Sequence, residues 1–247
     1  MDTDKAVVKF SESEEEYRSP AWLPFLLQCS DSAFPSGSYT HSYGLEELVS
    51  LGRVYNPSSL KRFLLGDIML QLRNQELPYL AYAYRFFRNN SEDEITLLDR
   101  EITASKLSDE IRKASLSQGK HRLDLLESLF PENRWVQFMQ LGIAENTLEG
   151  NQTTVLAMQY VIQRIPIGVA LYAHGYQMLA NYVTASMKLL RIGQTACQKI
   201  LLVLQKPLQV ATEDAQLVKR GSIGAFSPLL DIASSRHATA FTRLFIS

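Results

Sequence analysis

Tyr172, Tyr176, Leu179, Val183, Met187 and Leu190 follow one another at spacings of 4, 3, 4, 4 and 3. Only a helix brings such positions onto one face, so this stretch is expected to fold as a long helix with that stripe turned inward. The same pattern runs along almost the whole chain. Trp22, Leu23, Phe25, Leu26 and Leu27 make a short apolar helix ending near Ser30. A second helix is expected from about Thr40 to Leu51, where Gly52 stops it. Asn56-Pro57 supplies an N-cap and a first-turn proline. The helix behind them carries Leu60, Phe63, Leu64, Ile68 and Leu72 at helical steps. Ser91 and Glu94 have capping-box spacing. Leu107, Ile111, Ala114, Leu123, Leu126 and Phe130 mark a long amphipathic helix that Pro131 ends. Pro131 can also open the next helix, with Gly150 closing it, and Pro166 separates a helix over about 154–164 from the long stripe. Gly193 then interrupts, and a further helix reaches Gln205 before Pro207. The stretch 206–228, with Gly221, Gly224 and Pro228, is the expected mobile linker.

No segment alternates cleanly at period two, and no hairpin dipeptide joins β-branched runs. The expected fold is therefore all-α: a single-domain helical bundle of about ten helices over 19–247. Residues 1–18, with Glu12, Glu14, Glu15 and Glu16, bury too little to offset their ordering entropy and are expected to be disordered.

Charge narrows the partners. Twenty-five basic and 26 acidic side chains leave a net charge of −1, without the concentrated basic surplus that nucleic acid attracts. No run reaches the ~18 apolar residues of a membrane span, and no basic-then-apolar leader opens the chain. A cytoplasmic protein bound to neither membrane nor nucleic acid is expected. Cys29 and Cys197 fit no CxxC or zinc spacing and read as reduced, buried small hydrophobes.

Signatures of catalysis are missing: the chain has no phosphate loop, no HExxH and no GxSxG elbow. Of His41, His121, His174 and His237, none has a partner at metal-ligand spacing, and His121 and His174 are expected to be satisfied structural histidines. Neither a metal nor a cofactor is expected. Asp31, Ser38 and His41 could be written as a hydrolase triad, but triad members normally converge from separate elements. Ser38, Thr40 and Ser42 also serve as helix caps.

Three clusters remain. DSAFPSGSYTHSYGLE, Asp31 to Glu46, concentrates Phe34, Tyr39, His41 and Tyr43 beside Pro35 and Gly37. Such amphipathic rings suit an interface and equally suit a core in which their polar tips find backbone partners. RIGQTACQKILLVLQ places Gly193, Gln194, Thr195 and Gln198 at a helix start, as an anion-attracting terminus or a plain helix corner. SSRHATAFTRLFIS ends the chain with Phe241, Leu244, Phe245 and Ile246 around Arg243, a greasy terminus that must dock on its own body or on a partner.

LLQCSDSAFPSGSYTHSYGLE resembles the N-terminal motif of the UreF family. RIGQTACQKILL is similar to that family's Leu-Gly-Gln-Thr-x-x-Gln block, and SPLLDIASSRHATAFTRLFIS to its Arg-Leu-Phe-x-Ser ending. Glu110, Arg112, Ser115 and Gly119 also stand at family-like spacing, so the resemblance covers about 20–247. Departures are Ser36 where Leu or Ile is frequent, Ser38 and Cys197 where Gly is, Arg191 for Pro, Ile192 for Leu, and Ala238 for an acidic residue. The resemblance implies a non-enzymatic all-α homodimer that binds UreD (also called UreH). Through that complex it recruits the GTPase UreG to the urease apoprotein and modulates it during nickel insertion.

The residues expected to carry partner binding, or to shape it, are Phe34, Pro35, Gly37, Tyr39, His41, Ser42 and Glu46 in the first cluster. Gly193, Gln194 and Gln198 stand for the second, and His237, Arg243, Leu244 and Phe245 for the third. The first and third are expected to act together, Tyr39 pairing with Arg243 in the complexed state. Alternatives are an unrelated helical scaffold, a serine hydrolase using Ser38 and His41, and direct metal binding through His41, His237 and the cysteines.

Overall fold

Helical spacing becomes helix throughout the computed structural model, which describes residues 19–31, 34, 43–225 and 227–237. Of Leu229, Asp231, Ser234 and His237 only the backbone is described. Helix α1 spans Leu23–Ser30 and α2 Leu45–Ser50, the latter ending at Gly52 with its left-handed φ of 65°. Tyr43 and Gly44, both at positive φ, make the turn that leads into α2, so the described part of this helix starts later than its expected origin at Thr40.

Residues 57–88 form one rod, α3, capped by Asn56, whose side chain accepts from the Ser59 N–H while Ser59 returns a bond to the Asn56 N–H. Leu60, Leu64, Ile68 and Leu72 on it are fully buried. Two π turns, Leu64–Ile68 and Leu72–Glu76, interrupt the rod, and the periodicity of the sequence does not reveal them. Pro78 explains part of the second: lacking an N–H, it cannot bond the carbonyl four residues back, that of Asn74. That carbonyl instead accepts the N–H of Gly224 at 2.9 Å.

Helix α4 (Glu92–Ser105) follows Ser91, but the Ser91 side chain makes no capping bond. The expected capping box does not form, because Glu94 turns to bind Arg220 instead. Then come α5 (Asp109–Leu129) and α6 (Arg134–Ala144). Asn133 rather than Pro131 caps α6, accepting from the Trp135 N–H, and the helix stops six residues before Gly150, in a turn with Asn146 at φ 58°. Leu107 lies outside the α5 core face and is 71% exposed.

Helices α7 (Gln152–Ile162) and α8 (Ile167–Leu189) flank Pro166 as expected. Leu179 and Val183 of the long stripe are buried, whereas Tyr176 reaches the surface. Helix α9 spans Gln194–Ala215 and runs straight through Pro207, which corrects the expected stop at Gln205. The carbonyl that Pro207 leaves unbonded belongs to Val203, on the exposed face, where water can satisfy it. Nor is the rest of 206–228 a loose linker. Arg85 holds the Gln216 carbonyl, Tyr82 the Val218 carbonyl, and Arg220 bonds Glu94 and Glu101. A short 3-10 turn at Arg220–Ser222 leads to α10, Pro228–His237.

The described residues therefore form an all-α bundle of ten helical rods, with α7 at its centre. Every residue from Thr153 to Tyr160 is buried, clasped by the second half of α3 and by α5. Helix α9 lies along α8, and α10 lies on α2 and α5. Close approach at the centre depends on Gly119 of α5: a Cβ there would sit 2.0 Å from the Gly150 carbonyl oxygen. Gly119→Ala must push α5 from the start of α7, so it should cost about 1–3 kcal/mol and lower the melting temperature by several degrees. Calorimetry measures this, and an unchanged midpoint would show that the two helices can separate freely.

Candidate functional site

Between α1, α3, α5, α8 and α10 lies a cavity of about 350 Å³. Its walls mix rings and polar groups: Phe34, Tyr43, Tyr172 and Tyr182 beside Glu76, Lys106, Gln118, Arg122 and His174. Apart from Lys106, which lies in the connection after α4, these polar groups come from inward helix positions. Ser115, Gln118 and Arg122 share the inward face of α5, and His174 lies in the apolar run of α8. Glu76 closes the second π turn of α3.

Arg122 is only 2% exposed, and its Nη1 donates to Gln159 Oε1 at 2.5 Å. Its guanidinium stands 5.3 Å from the centre of the Phe34 ring, a cation–π contact. Burial lowers its affinity for the proton, and the groups that favour its charge are Tyr160 and Cys29 rather than a carboxylate. Lys106, by contrast, pairs with Glu76 at 3.4 Å, both side chains nearly buried.

Gln118 Nε2 donates to Tyr43 Oη at 3.0 Å, and Tyr182 Oη donates to the Tyr43 carbonyl at 3.4 Å. Tyr43 thus fastens the end of the first sequence cluster to the cavity wall. Burial pushes its phenol up to about 12, with Gln118 opposing that shift, and burial also raises Tyr182. Gln177 Nε2 donates to the Cys29 carbonyl at 3.3 Å, fixing the end of α1 on α8. Burial raises the Cys29 thiol, with Arg122 nearby partly opposing the shift.

Among the sequence candidates, Phe34 lies on the cavity wall and Glu46 is half-buried in the first turn of α2. Gly193 caps α9, and Gln194 and Gln198 are exposed on it, away from the cavity lining. His237 ends α10, its side chain outside the described residues, as are Pro35, Gly37, Ser38, Tyr39, His41, Ser42, Arg243, Leu244 and Phe245. The expected Tyr39–Arg243 pair likewise falls outside them. Helix α10 does meet α2 just past the first cluster, since Arg236 Nε donates to Glu47 Oε1 at 2.8 Å. His121 is exposed on α5, and His174, though buried, leaves Nε2 without a partner, so neither is the satisfied structural histidine expected. Both cysteines are free and buried. No group of three or more possible metal ligands occurs among the described residues, and no described helix is long and apolar enough to cross a membrane.

The residues that sequence reasoning missed are Glu76, Lys106, Gln118, Arg122 and His174. For all but Lys106, which lies between helices, the one legible signal is a polar residue at an inward helical position, as with His174 between Leu171 and Leu179. Burial, the largest influence, lowers His174 to about 4; Glu76 opposes it, and Arg122 and Lys106 reinforce it. The unfolded chain, with its ordinary histidine near pH 6.5, binds the proton over this window while the folded one does not. Stability is therefore fully present above pH 6.5 and is lost as pH falls toward 4, by on the order of 3 kcal/mol. Urea melts of the protein and of His174→Gln should differ in slope across that range. Identical slopes would mean that His174 gains its proton without unfolding.

The UreF family model matches residues 54–205, which include Glu76, Lys106, Gln118, Arg122 and His174. A urease accessory protein UreF from Actinobacillus pleuropneumoniae serotype 5b (strain L20) is 30% identical over 91% of this chain and 99% of its own. Those of Nostoc sp. (strain PCC 7120 / SAG 25.82 / UTEX 2576) and Azoarcus sp. (strain BH72) are 29% and 31% identical. Each alignment covers 90% of this chain and 94% of the relative. The relatives are named accessory proteins, and the chain is an accessory protein rather than an enzyme. With the family model matching residues 54–205 and a relative 30% identical to it over 91% of its length, the chain belongs to the UreF family of urease accessory proteins.

Proposed function

We propose that this chain is the adaptor of a cytoplasmic nickel-loading assembly. It binds UreD (UreH), and the resulting surface recruits the GTPase UreG to the urease apoprotein and modulates its hydrolysis of GTP. The observation that carries this reading is the junction of α10 with α2. Arg236 of the C-terminal block reaches Glu47, the residue after the N-terminal motif, across 189 residues of sequence, so α10 and α2 share one surface. In an adaptor such a join presents α2 and α10 together to one partner. Ile232 of α10, beside the junction, is more than half exposed.

In this reading Leu244 and Phe245 contact UreD, and Tyr39 with Arg243 fixes the tail in its binding pose. A hydrogen bond to a charged group is worth about 1.5–3 kcal/mol, enough to select one tail conformation. Deleting Leu244 to Ser247 should abolish capture of UreD in a pull-down while leaving the helical circular dichroism intact. With UreD lost, UreG should no longer join. A folded truncant that still captures UreD would remove the tail from the mechanism.

The chain is also proposed to act as a homodimer. Leu202, Val203 and Val210 project from α9 with about half or more of their surface exposed, an apolar strip for a second copy to cover. Light scattering should give twice the chain mass for the protein and a single chain mass for the double variant Leu202→Glu, Val210→Glu. A dimer that survives the double variant would place the interface elsewhere.

A further inference from the structure

Unsatisfied buried polar atoms are uncommon in folded proteins, and each calls for a physical explanation. Here several gather on one side of the molecule. Arg122 Nε, His174 Nε2 and Gln152 Oε1, on three residues that line the cavity, have no hydrogen-bond partner. Behind them, Gln159 Nε2 and Tyr160 Oη are also unpartnered. Arg122 and His174 are each more than nine-tenths buried.

The charges near the cavity sort into unequal sets. Lys106 and Glu76 neutralise each other, and Asp31 stands exposed at the rim with interactions of its own. Arg122 is met by the neutral amide of Gln159 and the face of Phe34, and no carboxylate pairs with it among the described residues. A buried cation without a counter-ion carries a desolvation cost that a bound anion relieves. Its planar fork suits a carboxylate, which it can grip with two parallel bonds. Most other lining groups are rings and aliphatic stems, with Phe34, Tyr172 and Tyr182 among them. An anion with an apolar body fits such walls better than a small hydrated dianion, for which a single uncompensated cation is too little.

We propose that this cavity is a binding site for a small organic carboxylate, gripped by Arg122 and His174 with Phe34 over the guanidinium. The ligand's carboxylate takes the free Nε–H of Arg122 and a hydrogen bond from the His174 ring, and its body lies against the tyrosines. No bond is made or broken. Because Phe34 and Leu230 of α10 line the same cavity, occupancy would brace α10, which lies on α2. The site is independent of the adaptor role and can fail without it.

Sodium benzoate, with sodium acetate, phosphate and chloride at matched ionic strength, provides the probe set on the full chain. Calorimetric titration should detect benzoate at a dissociation constant on the order of 1 mM, a value suited to one ion pair in a small pocket. Acetate should bind more weakly and phosphate no better than chloride. Arg122→Met should abolish the benzoate heat, with circular dichroism checking its fold, and His174→Phe should weaken it several-fold. If Arg122→Met does not fold, the thermal shift of the unaltered protein and the His174→Phe titration decide the matter. Benzoate that stabilises no more than chloride, or that binds both variants as tightly as the unaltered protein, would overturn the proposal.

Discussion

Asp99 is fully buried in α4, and its carboxylate accepts the backbone N–H groups of Glu149, Gly150 and Asn151 at 2.6, 2.9 and 3.0 Å. A carboxylate taken from water is tolerated only when donors replace the water. Here three donors come from the turn that begins α7. Asn151, fixed in the same bonds, caps α7 by accepting from the Thr153 N–H. Gly119 of α5 then lies against the Gly150 carbonyl with no room for a Cβ. One side chain thereby sets where the central helix starts and how closely α4 and α5 approach it, and the cavity's α5 wall inherits that position.

Apolar packing alone would have filled the space beneath α1. Instead α5 and α8 turn polar side chains inward, and α3 adds Glu76 at the end of a π turn. Each such group costs desolvation unless paired. Pairs exist for Glu76 with Lys106 and for Gln118 with Tyr43, while the free nitrogens of Arg122 and His174 lack one. The cavity is thus the part of the interior least explained by stability, and it lies next to the segments that mark the family. The C-terminal half of the chain is fastened by related means. A proline in α3 frees the Asn74 carbonyl, Gly224 occupies it, and Arg220 joins α4 through two carboxylates. These ties bring the chain from α9 back across the body, so that α10 arrives on α2.

How far the site could be read in advance differs by residue. Phe34 was named for its ring and its loop, and it lines the cavity. Gln194 and Gln198 were named for a helix start that does exist, yet they face outward, because a start says nothing about which side is covered. Arg122 stands at an inward step, four residues before Leu126, but an arginine on an amphipathic helix is ordinarily solvated, and the packing of α7 against α5 encloses it. Pro207 misled, because a helix survives a proline when the carbonyl it orphans faces solvent.

The all-α class, the placement of most helices and the absence of familiar catalytic motifs were determined by sequence alone. They rest on spacing and on cap residues, which act within a few positions of one another. Tertiary structure alone decided the π turns, the continuation of α9, the meeting of α10 with α2 and the enclosure of Arg122 and His174. Those features arise where residues far apart in the chain compete for the same carbonyl, carboxylate or space, and local periodicity carries no record of that competition.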